Sequence, residues 1–208
     1  MELILIRHGK TEYTEQRKYC GSSDLPLSAA GRAELEASEV KRFLSEHPPE
    51  LVFSSPMERA LETAAIVCPA ADGLPLLTLP ELREIDFGDF EGRSYEEMKD
   101  DPDYIAWLET NCEGPIPNGD FPDRFREDAA LGFETVVESA GAEYASRVAV
   151  VTHGGVIGAV LEAFTLPKKH WYEWKVPCGG YLVLQTDPAA WASTRVAELK
   201  ETGGGVTC

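Results

Sequence analysis

Four separated points of this sequence carry side chains suited to holding and attacking a tetrahedral anion: Arg7-His8, Arg59, Glu84 and His153. An imidazole beside a fixed guanidinium suits attack on phosphorus, because the arginine forks two phosphoryl oxygens while the ring nitrogen approaches the phosphorus. A dianionic phosphate needs donors on its equatorial oxygens, and Arg7, Arg59 and His153 supply them. His8 supplies the attacking nitrogen. A leaving alkoxide needs a proton, and Glu84 can donate it if burial or nearby anionic charge raises its pKa. Gly154-Gly155, directly after His153, opens a helix whose first N–H groups and dipole favour an anion at Gly154.

Each residue also has a plainer role open to it. A histidine that ends an apolar strand, as His8 and His153 do, is often a hydrogen-bonded structural group. Arg59 could sit on a helix surface paired with Glu58 or Glu62. Glu84 could be one more solvated carboxylate, with Asp86 as a neighbouring acid able to take its role. Thr11 either donates to the anion or only fixes the turn, and Cys20 and Ser22 in the first loop could face a substrate. His47, in a polar loop before Pro48-Pro49, and His170, in a connecting stretch, stay outside the expected site. Trp171, Tyr172 and Trp174 read as packing aromatics rather than ligand contacts.

The elements that would bring these groups together are legible in the hydrophobic pattern. Residues 2–7 form an apolar run that ends on Arg7-His8-Gly9, a short buried strand followed by a sharp turn. Ser28 caps a helix that runs to about residue 46, with Leu35, Phe43 and Leu44 among its apolar positions. Leu51-Val52-Phe53 is a second strand, and a helix from Pro56 to Val67 follows it. Leu76-Leu77-Thr78 is a third strand. The stretch from Glu81 to Gly119 is irregular, with short helices around 95–99 and 104–109, before a long amphipathic helix over about 121–140. Residues 147–152 are β-branched and apolar enough for a central strand, and a helix from Gly154 to Phe164 follows. Late strands fall at 181–186 and 195–199. This alternation predicts an α/β fold: a three-layer α/β/α sandwich on a mostly parallel central sheet, with a late antiparallel edge strand. In such a sheet the C-terminal strand ends share one rim, where ligands bind.

Composition narrows the class. The chain has 208 residues, 43% hydrophobic and 26% charged, which suits one domain with a full core. That domain is expected to span 1–208, with an irregular, helical cap insertion at about 85–120. A formal net charge of -17 argues against nucleic acid as a partner, since an acidic surface repels phosphate backbones. It leaves room for a small phosphorylated substrate, or inorganic phosphate, in a locally basic pocket. Five scattered cysteines, Cys20, Cys68, Cys112, Cys178 and Cys208, form no CxxC pair and read as reduced thiols of a cytoplasmic protein. The opening residues read as a strand rather than a secretory leader, and no apolar run is long enough to cross a membrane. A homodimer through the late edge strands is a further expectation.

Taken in order, the motifs resemble the histidine phosphatase superfamily, also called the phosphoglycerate mutase-like family. Arg7-His8-Gly9-Lys10-Thr11 is similar to its RHGxT signature. Gly21, Asp24, Pro26-Leu27-Ser28 and Gly31 match its G..D.PLS..G segment. Ser54-Ser55-Pro56, Arg59-Ala60 and Thr63-Ala64 match SSPxxRAxxTA. Residues 81–92 match E..FG.FEG, and Thr152-His153-Gly154-Gly155 matches the late HGG. The resemblance implies a phosphohistidine mechanism without metal or other cofactor. His8 would be the transiently phosphorylated nucleophile, Arg7, Arg59 and His153 the phosphate pocket, and Glu84 the acid and then the base. It also implies substrate contacts at Thr11, Thr14, Gly21 and Gly154.

Within the family the pattern is closest to α-ribazole phosphatases and related small phosphomonoesterases. The expected function is therefore hydrolysis of a small phosphorylated metabolite, with α-ribazole 5′-phosphate as a candidate. Two positions depart from the pattern. Thr14 stands where members often carry Asn, and Pro117-Asn118-Gly119-Asp120-Phe121 replaces a common P.GES segment. Both bear on the substrate rather than on phosphoryl transfer. The alternatives are a phosphoglycerate mutase-type transfer and a binding module that keeps the phosphate pocket without turnover. The first is disfavoured by the acidic stretch between Glu91 and Asp128, whose basic residues Arg93, Lys99, Arg124 and Arg126 are dispersed. The second is disfavoured by the completeness of the residue set.

Overall fold

The computed structural model describes residues 1–68 and 74–206; Cys208 lies outside the described residues. Six strands, β1 (Glu2–Arg7), β2 (Leu51–Ser54), β3 (Leu76–Thr78), β4 (Arg147–Thr152), β5 (Tyr181–Gln185) and β6 (Glu198–Gly203), form one sheet in the order β3-β2-β4-β1-β5-β6. The pairs β2·β3, β2·β4 and β1·β4 are parallel, and β1·β5 and β5·β6 are antiparallel.

Strand alternation divides the core. Leu3, Leu5, Phe53, Val148 and Val150 point to one face of the sheet. There they pack with residues of α7 (Pro122–Ala142) and α8 (Gly154–Phe164), among them Phe133 and Val160. Ile4, Ile6, Val52, Ala149 and Val151 point to the other face. They meet Leu35 of α2 (Ala29–Glu36), Leu44 of α3 (Glu39–Glu46) and Ala64 of α4 (Glu58–Val67). This period of two, with both faces covered, is why β1 and β4 read as continuous apolar runs. The remaining helices are α1 (Glu12–Glu15), α5 (Tyr95–Met98), α6 (Pro102–Glu109) and α9 (Pro188–Thr194). Among the described residues, no helix is long and apolar enough to cross a membrane.

Of the boundaries that differ from expectation, three have a clear local reason. The helix expected over 28–46 is two helices, because Ser38 ends one and starts the next. Its hydroxyl donates to the Leu35 carbonyl at 2.7 Å and accepts from the Lys41 amide at 3.2 Å. The helix after β2 starts at Glu58 rather than Pro56, since its first free amide is capped from a distance: Glu58 N donates to Asp24 Oδ1 at 2.7 Å. The last strand is Glu198–Gly203, not 195–199, because α9 occupies the preceding stretch. Asp187 caps α9, Pro188 opens it, and Arg195, in the left-handed region at φ 47°, ends it.

Candidate active site

Parallel register builds the site. Arg7 lies opposite Thr152, and Ser54 opposite Val151, so the chain leaves β1, β2 and β4 along one edge carrying His8, Ser55 and His153. The turn after β1 is fixed from α4: the Gly9 amide donates to Thr63 Oγ1 at 3.0 Å, and that hydroxyl donates to the Arg59 carbonyl at 2.7 Å.

His8 is 1% exposed and its Nδ1 lies 2.7 Å from the Gly9 carbonyl. A carbonyl only accepts, so Nδ1 carries the proton and Nε2 keeps its lone pair. Burial holds the His8 pKa well below the ordinary histidine range, and the charges of Arg7 and Arg59 push it the same way. The ring is therefore neutral at neutral pH, the form a nucleophile needs. His153 stands beside it with ring centroids 5.1 Å apart. Arg59 Nε donates to His153 Nδ1 at 3.3 Å, which leaves His153 Nε2 as the donor to Ser55 Oγ at 2.8 Å. Burial, then His8, Arg59 and Arg7, lower the His153 pKa well below its usual value.

Arg59 is fully buried and has no carboxylate partner among the described residues, so the surface pair with Glu58 or Glu62 does not form. Glu62 pairs with Arg32 instead, at 2.6 Å. The Arg59 guanidinium donates to the carbonyls of Ser23 and Gly21, each at 2.7 Å. Arg7 Nη1 donates to the Val176 carbonyl at 2.6 Å, while its Nε is buried with no acceptor among the described residues. A buried donor left unmatched costs about 1–3 kcal/mol, and a phosphoryl oxygen is the kind of acceptor that relieves it.

Glu84 is only 6% exposed. Burial raises its pKa, opposed by hydrogen bonding from Gly155 and by the charges of Arg7 and Arg59. Its Oε2 accepts from the Gly155 amide at 3.1 Å and its Oε1 from the Ile85 amide at 3.2 Å. The start of α8 therefore binds Glu84 through Gly155. A Cβ on Gly155 would lie 2.4 Å from Glu84 Oε1. Gly155→Ala should fold, since the displaced atom is a side-chain tip, but it should lower kcat by about tenfold through loss of proton-transfer geometry. Steady-state rates on an alkyl and an aryl phosphate check this, the alkyl ester losing more. Asp86, the alternative acid, is engaged in a turn, accepting from the Gly88 amide at 2.8 Å.

Three expected substrate contacts are arranged differently. Thr11 is fully buried and caps α1 together with Thr14: Thr11 N donates to Thr14 Oγ1 at 2.8 Å, and Thr14 Oγ1 donates to the Thr11 carbonyl at 3.0 Å. Thr11 thus fixes the turn, whereas Thr14 also reaches the cavity described below. Gly21 acts through its backbone. Its carbonyl holds Arg59, its amide donates to Glu91 Oε1 at 2.9 Å, and a Cβ would strike the Ile85 carbonyl at 2.0 Å. Asp120, in the divergent segment, accepts from the Asp86 amide at 2.9 Å and pairs with Arg83, while Phe121 is exposed.

A cavity of about 490 Å³ opens on this edge, with Arg7, Glu84, Gly154 and Gly155 in its wall. His8, Arg59 and His153 are buried and are not among its lining residues. Its apolar side is made by Tyr19, Phe87, Trp107, Trp171, Tyr172 and Trp174. The last three were expected to be packing groups, and Trp171 and Trp174 do pack in or against the core. With Tyr172 they also line the cavity, because the segment after α8 folds back over the strand ends. Cys20 also reaches the cavity, and Ser22 does not. His170 bonds Glu113 at 2.6 Å and His47 lies against Phe43 with the rings tilted by 41°, both outside this wall. Sequence reasoning missed Ser55 as the partner of His153 and Glu91 as the anchor of the Gly21–Ser23 loop. Both lie inside matched motifs, which is the signal that could have found them.

Two neutral histidines, two arginines and a buried carboxylate, gathered at the C-terminal ends of parallel strands, define an α/β enzyme of phosphoryl transfer. The chain belongs to the histidine phosphatase superfamily (branch 1), whose family description matches residues 3–199. Its reaction is hydrolysis of a phosphate monoester. It is 33% identical over 164 residues to phosphoglycerate mutase-like protein 4 of Arabidopsis thaliana, covering 77% of this chain and 70% of that one. It is 30% identical over 183 residues to the adenosylcobalamin/alpha-ribazole phosphatase of Salmonella typhimurium, covering 86% and 87%. Among solved structures, a putative alpha-ribazole-5′-P phosphatase from Escherichia coli superposes with a TM-score of 0.78 at 26% identity, covering 96% of this chain and 94% of that one.

Proposed function

We propose that His8 attacks the phosphorus of a small phosphate monoester through Nε2 and carries the phosphoryl group until water removes it. Arg7, Arg59 and His153 hold the phosphoryl oxygens, with the Gly154 end of α8 adding N–H groups and a favourable dipole. Glu84 gives its proton to the leaving oxygen, then takes one from the water that attacks phosphorus from the vacated side. The bond from phosphorus to the ester oxygen breaks as the bond to nitrogen forms. In the second step the bond to nitrogen breaks, releasing phosphate and neutral His8.

The observation that carries this reading is the His8 tautomer: a buried imidazole whose Nδ1 proton is committed to the Gly9 carbonyl, so that Nε2 is the basic atom. Rapid quenching with a labelled ester should leave label on the protein that is labile to acid and stable to base, with turnover indifferent to chelators. Label stable to acid, or turnover lost on chelation and restored by a divalent ion, would contradict the mechanism. Phosphate release, rather than transfer to a monophosphoglycerate, is the expected partition.

For the alcohol, likeness to relatives named for α-ribazole puts α-ribazole 5′-phosphate first in the assay panel, beside phosphoglycerates, sugar phosphates and nucleotides. The same proposal takes the chain as one domain whose segment at about 85–120 caps the cavity. It also includes a homodimer across the outer edge of β6, which ends the sheet order, and a cytoplasmic setting that suits the free thiols of Cys20, Cys68, Cys112 and Cys178.

A further inference from the structure

Charge around the cavity runs against the charge of the chain. Asp and Glu outnumber Lys and Arg by 36 to 19, yet among the described residues Glu84 is the only acid in the cavity wall. Lys18, Lys175 and Arg7 stand there with it. A second cavity of about 370 Å³ shares Arg7, Thr14, Lys18 and Tyr19, adds Arg17, and has no acid in its wall among the described residues.

These cations differ from their neighbours in the acidic stretch. Arg93 pairs with Asp101 at 3.1 Å, Lys99 with Glu96 at 3.0 Å, Arg124 with Asp128 at 3.2 Å and Arg126 with Glu113 at 2.6 Å. Lys18, Lys175 and Arg17 form no ion pair among the described residues. The two lysines are held by other means. Lys175 Nζ sits 4.2 Å from the Tyr172 ring centroid and donates to the Tyr172 carbonyl at 3.1 Å. The Lys18 backbone bridges to Ser94, and its Nζ lies 5.9 Å from the Tyr13 ring centroid. A ring face and a carbonyl keep an ammonium in place without neutralising it, and Glu97, the acid that feels the charge of Lys18, forms no ion pair with it.

In the reading above the phosphoryl oxygens are assigned to Arg7, Arg59 and His153, which leaves both lysines without a role. Unpaired positive charge set in an aromatic wall focuses an anion toward that wall. We propose that the substrate's leaving group is itself anionic, carrying a carboxylate or a further phosphate, and that Lys18 and Lys175 receive this second charge. The inference rests on the phosphatase reading above and narrows it. A neutral alcohol such as α-ribazole would leave both lysines unused, so acidic members of the panel should outrank it.

Three aryl phosphates that fit an aromatic wall isolate the effect: 4-carbamoylphenyl, 4-carboxyphenyl and 4-phosphonophenyl phosphate. The readout is the ratio of kcat/KM for each anionic ester to that of the neutral amide. This ratio does not depend on the fraction of folded enzyme. In the native protein it should favour the anionic esters by about tenfold. Lys18→Gln and Lys175→Gln should each lower it by about threefold, and the double variant should bring it near one. A larger ratio for the phosphonate than for the carboxylate assigns the second anion as phosphate, and the reverse order assigns it as carboxylate. A ratio of one or less in the native protein, or one unchanged in the double variant, overturns the inference while label on His8 survives. Absence of turnover on all three esters, with no label on His8, overturns the phosphohistidine reading as well.

Discussion

Replacing His8 with alanine should lower kcat by at least about 10⁴ and abolish protein-bound label after quenching, because no other group on this edge presents a free imidazole nitrogen to phosphorus. Ring removal also strands the Gly9 carbonyl and opens space beside His153, at a stability cost of about 1–3 kcal/mol. His8→Asn separates the two effects. Its amide can still donate to Gly9, so its thermal midpoint should stay near that of the native protein while turnover is lost. Phosphate affinity measured by calorimetry should persist in His8→Asn, since Arg7, Arg59 and His153 remain. Turnover within tenfold of native in either variant would remove His8 from the nucleophile's role.

The second large effect belongs to Glu84. Glu84→Gln keeps an oxygen to accept from Gly155 or Ile85 but exchanges no proton. For alkyl esters, kcat should fall about 10²–10³-fold. For an aryl ester with a good leaving phenol, phosphorylation of His8 should stay fast while hydrolysis slows, so labelled protein should accumulate. The pH profile carries the same information. Burial pushes the Glu84 carboxyl above the ordinary carboxylate range, so the acid form persists to higher pH, and activity on alkyl esters should decline as pH rises through that raised value. Burial and the two arginines push His8 below the ordinary histidine range, so the acidic limb, where the nucleophile becomes protonated, should fall on the low side of that range. Glu84→Gln should erase the upper limb and leave the lower one. An upper limb that survives the substitution would assign the acid to another group.

Much of this site was readable before any coordinate. β1 and β4 have the expected bounds, each an apolar run with one polar residue at either end, because a strand covered on both faces needs an uninterrupted apolar interior. Motif order then marked His8, Arg59, Glu84 and His153, and parallel pairing brings the chain ends that carry them to one edge. Capping was less legible. Asp24 caps α4 across a long sequence gap, and Ser38 divides a stretch whose apolar spacing alone reads as one helix.

The sequence by itself determined the chemistry available: which residues can attack, clamp and protonate, and that a parallel sheet would bring them together. Only the tertiary structure decided their working states. The raised Glu84 depends on burial, against the charges of Arg7 and Arg59, and the neutral His8 on burial and on those same two arginines, one from β1 and one from α4. Desolvation and Coulomb energy are set by distance in space rather than along the chain. The same is true of the aromatic wall and its two unpaired lysines. Nothing in the local pattern of Lys18 or of Trp171–Lys175 requires them to meet; they share a cavity because the segment after α8 folds back over the ends of the strands.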